Sequence, residues 1–211
     1  MNIYMYRNYF FSLLAIVTVY VFFYVYLDIP LALAAHTLLN SQLFHVSKYI
    51  THLGDDKVWI MIAVIGLAIL GVKILRKQKL SDNSKHLGFL FLSILIAVTI
   101  GSALKIALAR YRPELLFQKD LYGFHFLSLN NAFQSTPSGH SLCIFAVCTS
   151  LSLLFKRYAG LLYLMAILVG ISRLILTKHY LSDVMLGAYV GIISAVIAYH
   201  IFNSKYFLRA R

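Results

Sequence analysis

Six stretches of this chain, residues 9–27, 58–75, 87–109, 138–155, 158–176 and 183–202, are apolar over nearly the length a helix needs to cross a bilayer. About 20 residues at 1.5 Å each cover roughly 30 Å of hydrocarbon. With 61% hydrophobic and 12% charged residues, and a mean hydropathy of +0.79, the chain has too little polar surface for a soluble domain. The expected fold is all-α: a polytopic membrane helix bundle of six transmembrane helices, forming one integral membrane domain over residues 1–211. The net charge of +12 does not point to a nucleic-acid partner. The basic residues cluster between the apolar runs, where they select topology, and no aromatic-basic or helix-turn-helix pattern accompanies them.

The run 9–27 follows Arg7 and is stopped by Asp28 and Pro30. A secretory signal is the rival reading, because Ala32-Leu33-Ala34 resembles a small-residue cleavage site. The apolar stretch is too long for that and is rich in Tyr and Phe. Tyr4, Tyr6, Tyr9, Tyr24 and Tyr26 crowd its two ends, as expected of rings at headgroup level. Residues 29–57 mix Leu, Ala and Phe with His36, Asn40, Gln42, His45 and His52, too polar to span and too apolar for a solvated loop. They read as an interfacial helix between the first two spans. His52, Asp55 and Asp56 are conceivable metal ligands, but in a Gly-containing turn they read as solvent-facing, and no metal or other cofactor is expected. Cys143 and Cys148, five residues apart in one apolar run, point to different sides of a helix and read as packing residues.

Six spans put both termini, the loop 76–85 and the Lys156-Arg157 turn on one side. That side carries Arg7, Lys73, Arg76, Lys77, Lys79, Lys85, Lys156, Arg157, Lys205, Arg209 and Arg211, eleven of the 19 Lys and Arg residues. The positive-inside rule makes it cytoplasmic. On the opposite face fall Lys105, Arg112, Ser138, Gly139, His140, Arg173, His179 and Asp183, between residues 105 and 183. Snorkelling explains a lone cation at a helix end. It does not explain Pro-Ser-Gly before a histidine, or a carboxylate four residues after another.

Such a set suits phosphoryl transfer. Arg112, Arg173 and Lys105 offer charge-assisted donors to phosphate oxygens. Amides at Ser138-Gly139-His140 open a helix and form an anion site, with Gly139 allowing close approach and Ser138 adding a hydroxyl. One histidine can attack phosphorus while the other protonates the departing oxygen. Asp183 is expected to hold the ring of His179 in the tautomer that frees its attacking nitrogen. The cationic side chains do the charge neutralisation that a metal would otherwise provide.

Lys105, six residues, Arg112-Pro113; Pro137-Ser138-Gly139-His140; and Ser172-Arg173, five residues, His179, three residues, Asp183 resemble the three-part signature of the type-2 phosphatidate phosphatase and vanadium haloperoxidase superfamily. Every specified position is filled, in order. The six-span layout resembles the membrane branch of that superfamily, and Thr51, Gly54 and Asp55 look like a weaker family feature. The resemblance implies that His179 is the nucleophile forming a phosphohistidine, with Asp183 its partner, and that His140 is the general acid and later assists water. It implies that Lys105, Arg112, Ser138, Gly139 and Arg173 bind the phosphate. The soluble, vanadate-binding members are a poor match for so hydrophobic a chain.

The expected function is that of a membrane lipid phosphatase, independent of metal, acting on a lipid monophosphate or diphosphate. Undecaprenyl diphosphate and lipid A are favoured over phosphatidylglycerol phosphate and phosphatidic acid. A phosphotransferase of the same fold would pass the phosphoryl group to a second lipid. An anion transporter would place its charges near the midplane, on broken helices or in repeated halves, and no internal repeat is present. A purely structural protein would not retain a nucleophile, an orienter and an oxyanion clamp together. The expected location is a bacterial cytoplasmic (inner) membrane, with the site on the outer face and a membrane lipid as partner; the sequence does not fix an oligomeric state. His36, His45, His52, His86, His125 and His200 are expected to be non-catalytic.

Overall fold

A computed structural model describes residues 3–205, and among these residues the chain consists of helices joined by turns and loops, with no strand beyond an isolated bridge between Arg110 and Phe124. Nine α-helices follow one another: α1 Ile3–Tyr26, α2 Asp28–Thr37, α3 Gln42–Thr51, α4 Asp56–Leu75, α5 Asp82–Leu108, α6 Pro113–Lys119, α7 Gly139–Leu154, α8 Ala159–Ile175 and α9 Leu181–Lys205. Among the described residues five stretches are long and apolar enough to cross a membrane: Arg7–Tyr26, Gln42–Leu75, Asp82–Leu108, Lys156–Ile175 and Leu181–Phe202. The apolar Gly139–Leu154 is shorter. The expected tail cations Arg209 and Arg211 lie outside the described residues, as does Tyr4's side chain.

Each boundary has a local cause. Ser81 caps α5 by accepting from the Ser84 amide (3.3 Å), so the helix begins five residues before the apolar run. Pro113 opens α6, a short helix inside the loop expected over 114–136. The carbonyls that end α5 are not left open. Those of Ile106, Ala107, Leu108 and Ala109 accept from the amides of Ser128, Leu127, Phe126 and His125 at 2.9–3.3 Å.

The single interfacial helix expected over 29–57 is instead two short helices, α2 and α3, with a turn at His52–Gly54. Asn40 adopts the left-handed conformation (φ 66°) and Ser41 caps α3 through the Phe44 amide, so the chain breaks there. α3 then packs on α8.

α7 is the core of the bundle, enclosed by α4, α5, α8 and α9, with both cysteines buried in it. Its closest neighbour is α9, and the sequence reason is a pair of glycines four residues apart. A Cβ at Gly187 would lie 2.7 Å from the Ser138 carbonyl oxygen, and one at Gly191 would lie 2.5 Å from that of Leu142. Small residues at this spacing let two membrane helices meet backbone to backbone. On the α5 side, Ser93 and Ser150 hydroxyls hydrogen-bond at 2.7 Å inside the apolar core. α1 packs on α9 but leaves Phe10, Phe11, Leu13, Leu14, Val21 and Phe22 exposed, a surface suited to hydrocarbon rather than water.

Candidate active site

The candidate residues are delivered by helix ends. Lys105 lies in the last turn of α5, Arg112 is the N-cap of α6, Ser138 is the N-cap of α7 with Gly139 and His140 following, Arg173 is in the last turn of α8, and Asp183 is in the first turn of α9. His179 occupies the turn between α8 and α9. One contact fastens two of these ends together: the Ser138 amide donates to the Asp183 carbonyl (3.0 Å). Lys105, Gly139, Cys143 and Asp56 line a cavity of about 120 Å³. Arg112 lies within electrostatic reach of Lys105, Arg173 and His179, and His140 within reach of Lys105 and Arg173.

His179 is buried, 5% exposed, and therefore packed more deeply than a residue outside the core would be. Its Nδ1 lies 2.8 Å from the Ser135 carbonyl oxygen. A carbonyl can only accept, so Nδ1 carries the proton and Nε2 is left with its lone pair. The Asp183 carboxylate, expected to take this hydrogen bond, stands 3.8 Å away and is committed elsewhere. It accepts from Arg110 Nη1 (2.6 Å), Ser135 Oγ (2.6 Å), the Tyr180 amide (2.9 Å) and Thr136 Oγ1. Asp183 thus fixes the segment that supplies the carbonyl, and the carbonyl fixes the ring. Burial, helped by the charges of Arg173 and Arg112 and opposed by Asp183, lowers the His179 pKa from 6.5 to about 3. The ring is neutral at neutral pH.

Arg173 is buried at the end of α8. Its Nη1 donates to Thr51 Oγ1 (2.7 Å), and its buried Nε has no partner among the described residues. A buried donor without an acceptor is costly, and a phosphate oxygen is the acceptor that would satisfy it. Arg112 is steadied through Nε on the Asn131 carbonyl (3.0 Å). Two expectations for the α7 head change. The Ser138 amide is spent on Asp183, and its hydroxyl caps the helix by accepting from Ser141 Oγ (3.1 Å) and the Ser141 amide (3.5 Å). The space beside Gly139 is filled by Asp56, whose Oδ2 would lie 2.2 Å from a Cβ there. Asp56 lies against the site with its side chain 30% exposed, rather than facing solvent alone as expected.

Sequence reasoning missed Arg110. It is completely buried and lies between two acids, with Nη2 2.8 Å from Asp28 Oδ2 and Nη1 2.6 Å from Asp183 Oδ1, and also donates to Ser182 Oγ and Tyr122 OH. Rings of Tyr24, Tyr122 and Tyr180 surround the guanidinium. Asp28, which had only marked the end of the first helix, thereby ties the α1–α2 junction to the head of α9. A charge that close to Arg112 must be paired if it is not exposed, but nothing in the sequence says with which carboxylate.

The profile of the PAP2 superfamily matches residues 86–207. The chain belongs to the PAP2 superfamily. Among its relatives is a lipid A 1-phosphatase of Rhizobium johnstonii, 28% identical over 164 residues that cover 72% of this chain and 67% of the relative. A lipid A 1-phosphatase of Rhizobium etli is 29% identical over 154 residues, 69% of this chain and 66% of the relative. In fold the chain is similar to Aquifex aeolicus LpxE, with a TM-score of 0.56 and 23% identity over 82% of this chain and 95% of that one. It is equally similar to a PAP2-type phosphatidylglycerolphosphate phosphatase of Bacillus subtilis, with a TM-score of 0.57 and 22% identity over 94% and 98%. The PAP2 chain described here is an integral membrane phosphatase.

Proposed function

We propose that this PAP2 phosphatase hydrolyses the phosphate of a saccharide lipid of the lipid A type, through a phosphohistidine on His179 and without a metal. The single observation that carries the reaction is the setting of His179: neutral, with Nδ1–H held by the Ser135 carbonyl and Nε2 free, beside an arginine with an unpartnered donor. Nε2 attacks phosphorus, Lys105, Arg112 and Arg173 take up the oxygen charge, and the leaving oxygen departs with a proton from His140. Water then attacks the phosphohistidine, giving its proton to His140 and returning the electron pair of the P–N bond to Nε2. Asp183 and Arg110 keep the nucleophile's scaffold in place.

The lipid A assignment rests on the activity named for both Rhizobium relatives. In this reading six spans cross the bacterial inner membrane with the site at the outer headgroup layer, so the lipid's tails remain in the bilayer while its phosphate reaches the helix ends. The test is release of phosphate by detergent-purified protein, in EDTA, from lipid A, undecaprenyl diphosphate, phosphatidylglycerol phosphate and phosphatidic acid. Release from lipid A well above the other three is expected. Preferential release from another lipid would replace the substrate, and loss of all activity in EDTA would remove the metal-free mechanism.

A further inference from the structure

The signature motifs give His179 its surroundings but name no partner for His140. The head of α4 supplies one. Asp55 caps that helix, its Oδ1 accepting from the amides of Lys57 (3.0 Å) and Val58 (3.3 Å), and so sets the direction of the next side chain. Asp56 Oδ1 accepts from the Lys57 amide (3.1 Å) and lies 3.7 Å from His140 Nδ1. Its Oδ2 fills the space left by the missing side chain of Gly139. The same segment reaches the site at two other points. Thr51 accepts from Arg173, and a Cβ at Gly54 would stand 3.2 Å from the His140 carbonyl oxygen.

We propose that Asp56 is the orienting and charge partner of His140, so that the 51–56 segment acts as a fourth element of the active site. This rests on the reading of His140 as the proton donor. The charged groups around His140 are Asp56 and Asp55 from α4, Lys105 from α5 and Arg173 from α8. Lys105 and Arg173 are the cations of that set, and Asp56 is the carboxylate that stands 3.7 Å from the imidazole. At 3.7 Å Asp56 is a charge contact on the Nδ1 side rather than a hydrogen bond, which leaves Nε2 as the nitrogen that faces the leaving oxygen and carries the proton it receives. As the P–O bond breaks, its electron pair goes to that oxygen, which takes the Nε2 proton. Neutral His140 then accepts a proton from the attacking water. Asp56 stays ionised through both steps and is a positioning residue.

The experiment compares kcat/KM for phosphatidic acid, whose alkoxide needs a proton, with that for p-nitrophenyl phosphate, whose phenolate does not. The proteins are the parent, Asp56→Asn, Asp56→Glu, His140→Ala and the Asp56→Asn/His140→Ala double variant. Asp56→Asn is expected to lose on the order of 10–100-fold on phosphatidic acid, part of the 10²–10⁴ that a placed acid supplies, and less than about threefold on the nitrophenyl ester. Asp56→Glu should recover part of the loss, and the double variant should be no worse than His140→Ala. Competitive inhibition by inorganic phosphate, which needs the folded cation cradle, should be retained in Asp56→Asn, since removing a carboxylate near Lys105 and Arg173 does not weaken an anion site. Equal losses on both esters, additive losses in the double variant, or loss of phosphate inhibition along with turnover would overturn the proposal. If His140→Ala itself loses equally on both esters, the donor role of His140 fails first. If only Asp56→Asn does so, the partnership fails and the donor role stands.

Discussion

His179 and His140 carry the same ring in different surroundings. His179 is almost fully enclosed, with Nδ1 fixed 2.8 Å from a backbone carbonyl. The His140 side chain is 18% exposed, and its carboxylate neighbour stands at 3.7 Å, outside hydrogen-bond range. The difference follows from what each must do. A nucleophile has one task and gains from being neutral and immobile before substrate arrives. A proton donor must accept the proton back in the next step, and a carboxylate at the edge of contact suits a ring whose charge alternates.

That contrast can be broken experimentally, beginning with the largest effect. His179→Ala should reduce turnover by about 10⁴-fold or more on every ester while leaving an inserted protein, because no other group is placed to attack. Comparable turnover from purified, monodisperse variant would end the assignment. His140→Ala should cost about 10²–10⁴-fold on an alkyl phosphate and much less on a nitrophenyl phosphate. A loss independent of the leaving group would erase the distinction between the two rings. Arg110→Met strands Asp28 and Asp183 as buried carboxylates and should cost about 3–5 kcal/mol, read as a lower unfolding temperature in detergent. It should impair both esters alike, since it acts on the His179 side. An unchanged melt would mean the pair is not buried as described.

A smaller effect follows from the pKa of His179. Between pH 6.5 and about 3 the unfolded chain binds a proton there that the folded protein does not. Stability then rises with pH across that window: the contribution is complete above pH 6.5 and is lost as pH falls. Melting temperatures at pH 7 and pH 5 should differ less for His179→Gln than for the parent. An equal or larger difference in the variant would show that the ring is not held neutral.

The apolar runs were legible in the sequence, because continuous apolarity over a membrane thickness has few meanings, and α8 agrees with the run 158–176 to within a residue at each end. The placement of the candidate residues at helix ends was legible too, since their motifs fall where the apolar runs start and stop. Two breaks were missed although their signals are local: Asn40-Ser41 before α3 and Pro113 at the start of α6. Both sit in segments too mixed for hydrophobic periodicity to report on. Partner choice was not legible at all. The sequence shows Asp183 four residues after His179, the spacing that predicts contact on a helix. His179 precedes the first turn of α9, however, so the carboxylate turns to Arg110 and a backbone carbonyl takes its place. In the same way Asp56 reads as one of two acids in a turn until the absent side chain of Gly139 gives it room.

The most direct measurement traps the intermediate. Protein is mixed with lipid A labelled at its phosphate with ³²P, quenched within a turnover, digested, and the labelled residue identified. The account predicts an acid-labile, base-stable phosphoryl group on His179, absent from His179→Ala. Label on another residue, or turnover at the parent rate in His179→Ala, would contradict it.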